Sequence, residues 1–144
     1  MTSPSFDEYK KINAIIENDN TASTLKYALL KGTIEICQQY SHYKQVRGER
    51  AWYPMGLLVE RWLYYFYPIF EHTTFVPQLI GETDREHSKR IVFREPYTDI
   101  IRQYKDKGGF SVFFSDFSAG KLQPDTQKKL LTVCKSIRSR IIDM

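Results

Sequence analysis

The stretch "WYPMGLLVERWLYYFYP", residues 52–68, carries seven aromatic rings in seventeen positions, and its reading decides the fold. Three uses are open to it: a membrane segment, a core, or a surface offering rings to nucleic-acid bases. Glu60 and Arg61 interrupt the apolar run. The uncharged pieces on either side fall far short of the roughly 20 residues a spanning helix needs. A membrane span is therefore excluded. Met55, Leu58, Val59, Trp62, Leu63 and Phe66 recur at helical spacing and form one apolar side. Leu57, Glu60, Arg61, Tyr64 and Tyr67 fall on the other. Pro54 suits a first helical turn, and Pro68 is expected to end or kink the helix. A helix apolar on one side and tyrosine-rich on the other belongs at the centre of a fold. Its phenols then reach polar partners in a second layer.

The rest of the chain reads as helices packed on this one. Its 144 residues make one ordinary domain, 1–144. Hydrophobic residues at 42% and charged ones at 26% are a globular composition. Aromatics reach 15%, so the core should be built from rings. Phe6, Tyr9, Ile12, Ile15 and Ile16 make an amphipathic face, with Ser5 and Glu8 as a capping box. A second helix is expected over 23–40. Its stripe contains Gly32, which costs about 1 kcal/mol in a helix interior and so marks a close helix contact. "SHYKQVRGER" reads as a loop, with room for one short hairpin. A short helix is expected over 76–80 and an exposed charged loop over 82–95. A further helix begins near Pro96 and buries Tyr97, Ile100, Ile101 and Tyr104, with Gly108 and Gly109 ending it. "FSVFFSDFSAG" alternates as a strand would, but Phe110, Phe113, Phe114 and Phe117 also recur as on a helix, and the helical count is better. A basic helix over 124–142 opens with Pro124. The expected class is all-α, a compact bundle of five to seven helices.

Net charge is +4, and residues 121–144 hold six bases against two acids, so the whole excess lies there. Lys128, Lys129, Lys135, Arg138 and Arg140 on the last helix either form a solvated face or attract a polyanion. Leu130, Cys134, Ile137 and Ile141 form a narrow seam on the same helix. That seam either covers a core or pairs with another helix, as in a homodimer. Cys37 and Cys134 both sit among apolar residues and read as buried thiols of a reducing, cytoplasmic protein.

No reaction chemistry emerges. His42, His72 and His87 have no partner at metal spacing, and neither a phosphate loop nor a nucleophile elbow is present. Catalytic residues, metal ligands and cofactors are therefore expected to be none. Asp116 lies within the phenylalanine cluster and reads as a helix cap or a lysine partner. Arg61 stays charged, so it needs water, a carboxylate, a tyrosine face or a ligand phosphate. Beside Tyr64 and Tyr67 it suits nucleic acid, a surface Lys26 and Lys31 could extend.

"TLKYALLKGTIEI" (24–36) followed by "WYPMGLLVERWLYYFYPIF" (52–70) resembles the amino-terminal helical region of some bacterial HNH-type endonucleases, restriction or phage-defence proteins. "FVPQ" (75–78) and "GGFSVFFSDFSAG" (108–120) continue the likeness, which spans roughly residues 24–120. These are core residues, and the family's His-Asn-His set has no counterpart here. The resemblance implies an accessory helical module, a fragment or a stand-alone relative, that helps present DNA, or a partner, to a nuclease. Two functions follow as expectations. One is a non-catalytic nucleic-acid-binding module; the other is a protein-interaction or dimerisation module.

Overall fold

A computed structural model gives the fold and describes Asp7, Lys10, Lys11 and Ala14, then residues 24–79, 81–85 and 89–144. The amphipathic face of Phe6, Tyr9, Ile12, Ile15 and Ile16 and its Ser5 cap lie outside the described residues; Asp7, Lys10, Lys11 and Ala14 are helical. Five further α-helices follow: α1 (Leu25–Gln39), α2 (Met55–Glu71), α3 (Arg94–Tyr104), α4 (Phe110–Ala119) and α5 (Pro124–Ile142). A short antiparallel hairpin, β1 (Gln45–Arg47) with β2 (Arg50–Trp52), links α1 to α2 after a 3-10 turn at Ser41–Tyr43. The chain is mainly helical.

The aromatic helix α2 is central and touches α1, α3 and α5. Trp62, Leu63, Phe66 and Tyr67 are each 1% exposed or less. Phe93 and Phe113 join them, and rings pack mostly edge-on or tilted, the arrangement aromatic quadrupoles favour. Tyr97 donates its hydroxyl to the Leu63 carbonyl at 2.7 Å, pinning α3 to α2. The helical reading of residues 110–117 holds, because four phenylalanines are worth more on one packed face than alternating across a strand. Gly108 and Gly109, at φ +116° and +69°, turn the chain between α3 and α4, and a Cβ on Gly108 would meet Val112 at 2.5 Å. Gly32 lies against α2, where an added Cβ would stand 2.6 Å from Leu58.

Three expectations need correction. Pro68 does not end α2, which continues to Glu71. An internal proline costs roughly 3 kcal/mol; the extra turn buries Phe70 against Phe66, Phe93 and Tyr97, which offsets it. Residues 76–79 are not helical. The 82–95 segment is not simply an exposed loop either, since Glu82, Ile91, Phe93 and Arg94 are buried. Glu82 and Arg94 form an ion pair beneath it. The Glu82 carboxylate also accepts the backbone N–H of Gln78 at 2.9 Å and of Ile91 at 2.7 Å. Arg94 donates to the Val76 carbonyl at 3.0 Å and stacks on Phe75 at 3.8 Å. Burial lowers the Arg94 pKa, and Glu82 opposes that shift. Side chains fix this connection where no backbone ladder can.

Candidate nucleic-acid interface

Arg61 projects from α2 toward the C-terminal end of α1. Its guanidinium lies 4.5 Å from the Tyr64 ring centre and 5.7 Å from that of Tyr40. Among the described residues no carboxylate pairs with it. Tyr64 stacks on Phe114, 3.9 Å away and 13° from parallel. One face of Tyr64 is therefore covered by Phe114 and the other by Arg61, which leaves none for a base. Tyr67 is misplaced in the sequence reading. It is fully buried between Tyr97, Phe110, Phe113 and Phe114 and can touch no ligand. Its hydroxyl has no hydrogen-bond partner among the described residues. Burial, with Glu71 and Tyr104 adding to it, pushes its pKa up to about 12.

Lys31 stands on the Arg61 side of α1, beside the Tyr65 ring that Arg61 also neighbours. Lys26 and Lys31 are both exposed on α1, but at 3.6 residues per turn they fall on opposite flanks of the Gly32 contact line. Lys31 lies over Tyr65 at 4.6 Å and 3.9 Å from Glu35, which accepts the Tyr65 hydroxyl.

Lys128, Lys129, Lys135, Arg138 and Arg140 are all exposed along α5. The inner seam is spent on this chain's own core: Leu130, Ile137 and Ile141 are buried and Cys134 is half-buried. As a pairing surface for a second copy the seam is therefore corrected. Cys37 is corrected too, being exposed, and both cysteines are free. Burial pushes the Cys134 thiol up to about 11.

On one flank of α5, Lys135 and Arg140 face Lys89 and Arg90 across a cleft of about 460 Å³, with Asp143 at its edge. Arg90 is committed elsewhere, to Glu95 at 2.6 Å and to the carbonyls of Thr83 and Asp84. Among the described residues, Lys89, Lys135 and Arg140 have no ion-pair partner. The other flank is an apolar groove of about 320 Å³, lined by Met55, Val59, Leu63, Phe117, Leu131 and Cys134 and rimmed by Lys135 and Arg138. That groove opens on the Val59–Leu63 side of α2. Arg61 lies about 200° around the helix from Leu63, so α2 separates Arg61 from the α5 bases.

Sequence reasoning missed Lys89 as a neighbour of α5, whereas the short hairpin it allowed for within "SHYKQVRGER" is present. Gly48, at φ +63°, begins a two-residue turn between strands paired Gln45 with Trp52 and Arg47 with Arg50. The glycine within "RGER" was the available signal. Arg47 lies 5.8 Å over the Trp52 ring. Among the described residues Asp116 neither caps a helix nor pairs with lysine; it accepts the Tyr104 hydroxyl at 2.8 Å. His42 packs on Tyr43 and His72 accepts the Thr74 N–H at 3.1 Å, while His87 lies outside the described residues. Among the described residues no group of three or more His, Cys, Asp or Glu could hold a metal, and no helix is long and apolar enough to cross a membrane.

These features define a helical domain with a ring-built core, a basic terminal helix and a projecting hairpin. The chain belongs to the family described as a domain of unknown function (DUF8808), which it matches over residues 5–144. Comparison with curated proteins and with solved structures finds no match.

Proposed function

We propose that this chain is a non-catalytic nucleic-acid-binding module, most readily DNA-presenting, of a bacterial nuclease or phage-defence system. The resemblance to the helical region of HNH-type endonucleases supplies the system. The carrying observation is the cleft beside α5, where Lys89 from a distant segment joins Lys135 and Arg140. Three exposed cations around one cleft suit a phosphate backbone, whose binding releases counterions. Cytoplasmic placement and a nuclease subunit or domain as partner belong to the same proposal.

The test is equilibrium binding to labelled duplex and single-stranded oligonucleotides at several salt concentrations. Lys135→Glu with Arg140→Glu should weaken binding and reduce the log–log salt slope by about 2. An unchanged slope, or no binding at low salt by the unaltered chain, contradicts the proposal.

A second reading, a protein-interaction or dimerisation module, is supported by the apolar groove that exposed Leu131 shares with Phe117 and Met55. Sedimentation across a range of concentrations tests it. A monomer at every concentration counts against dimerisation.

A further inference from the structure

The hairpin arm exposes costly groups without an internal reason. Every residue from 41 to 52 is exposed, in a chain that otherwise builds its core from rings. Trp52 is 50% exposed and Tyr43 47%. The register places Gln45, Arg47, Arg50 and Trp52 on one face of the ribbon, and Val46 with Ala51 on the other. Arg47 bridges its own face: its guanidinium covers Trp52, and Nη2 donates to Gln45 Oε1 at 3.4 Å. Among the described residues no carboxylate pairs with Arg47 or Arg50. Lys44, Arg47 and Arg50 stand against Glu49 alone, so the arm is cationic. The His42, Tyr43 and Tyr40 rings lead from its base to Tyr40, over which Arg61 lies. Arg61 thus lies over the ring at the foot of the ribbon.

We propose that this face of the hairpin binds unpaired bases of a single-stranded nucleic acid. Trp52 stacks on a base, and Arg47, Arg50 and Arg61 take neighbouring phosphates. Ring and cation here are complementary to the two halves of a nucleotide, a base face and a phosphate. A duplex keeps its base faces stacked inside, so the ring has value only for unpaired segments. This inference rests on the nucleic-acid reading above and names its strand form and a second contact surface, separate from α5.

Tryptophan emission tests it directly. The chain has two tryptophans, and Trp62 is wholly buried. Emission at the long-wavelength edge therefore reports Trp52. Titrating the full chain with a mixed-sequence single-stranded oligonucleotide should quench that edge. Trp52→Ala should weaken single-strand affinity by roughly ten-fold or more and leave the melting temperature unchanged. Arg47→Ala with Arg50→Ala should weaken it as well and lower its salt dependence. Binding of the unaltered chain with no quenching, and with affinity unmoved in Trp52→Ala, overturns this inference and spares the nucleic-acid reading. No binding of any oligonucleotide at low salt overturns both.

Discussion

Arg94 is held in place by four residues from three parts of the chain: Phe70, Phe75 with Val76, and Glu82. A buried charge that loses its partner is costly, about 3–5 kcal/mol, because its desolvation remains uncompensated. Glu82→Gln should therefore lower stability by about that amount, read from denaturant melts. Adding Arg94→Met should restore part of the loss but not all. The Glu82 oxygens also serve the N–H groups of Gln78 and Ile91, and one amide oxygen replaces two carboxylate oxygens. A Glu82→Gln melt matching the parent would show that the pair contributes nothing. Trp62→Ala should cost about 3–5 kcal/mol, as for a large buried ring, and a silent melt would refute its central place. At this scale the sequence was only half legible. Trp62 and Phe66 declare themselves by spacing. Tyr67 does not, because α4 folds back over the tyrosine side of α2 and makes that side a second core face. Glu82 and Arg94 look like surface charges until their partners are known.

Among the elements, α1 and α2 depend on one small residue. Gly32 sits where a Cβ would press Leu58 Cδ1, the end of a flexible, half-buried side chain. Gly32→Ala should be near neutral, since Leu58 can shift and alanine regains about 1 kcal/mol of helix propensity. Gly32→Leu should separate the two helices and markedly lower the melting temperature. Equal melts for Gly32→Leu and the parent would mean that the contact is dispensable. Helices α1, α3, α4 and α5 were legible because their apolar positions repeat locally. The connection from 72 to 93 was not. Its shape comes from side-chain bonds that join residues 4 to 18 positions apart, and no period records them. The hairpin was readable only as an option, because three-residue strands carry too little alternation.

Taken whole, the molecule keeps its buried phenols neutral and buries one paired cation, Arg94. Tyr67 and Tyr104 are each pushed up to about 12, first by burial; Glu71 adds to Tyr67, and a hydrogen bond to Asp116 adds to Tyr104. Tyr65 and Tyr97 are raised as well, again mainly by burial. In the unfolded chain a tyrosine titrates near 10. Between about pH 10 and 12 the folded state binds more protons, so stability falls as pH rises through that window. Below pH 10 this contribution is fully present. Denaturant midpoints should therefore hold up to about pH 10 and then drop, while phenolate absorbance shows some of the ten tyrosines ionising late. A midpoint that stays constant to about pH 12 would contradict the ring-built core. At the surface, α2 divides the α5 bases from Arg61, which lies about 200° around that helix from Leu63. That division could not be read from the sequence, which places Arg61, Lys26 and the α5 bases in one candidate group.

The account depends most on the claim that these exposed cations meet a nucleic-acid backbone. Its most direct test is the affinity of the unaltered chain for a labelled single strand, followed as salt is raised from low concentration. A straight decline of log affinity against log salt, with a slope of several units, is the predicted result. Affinity indifferent to salt, or none at the lowest salt, would contradict it.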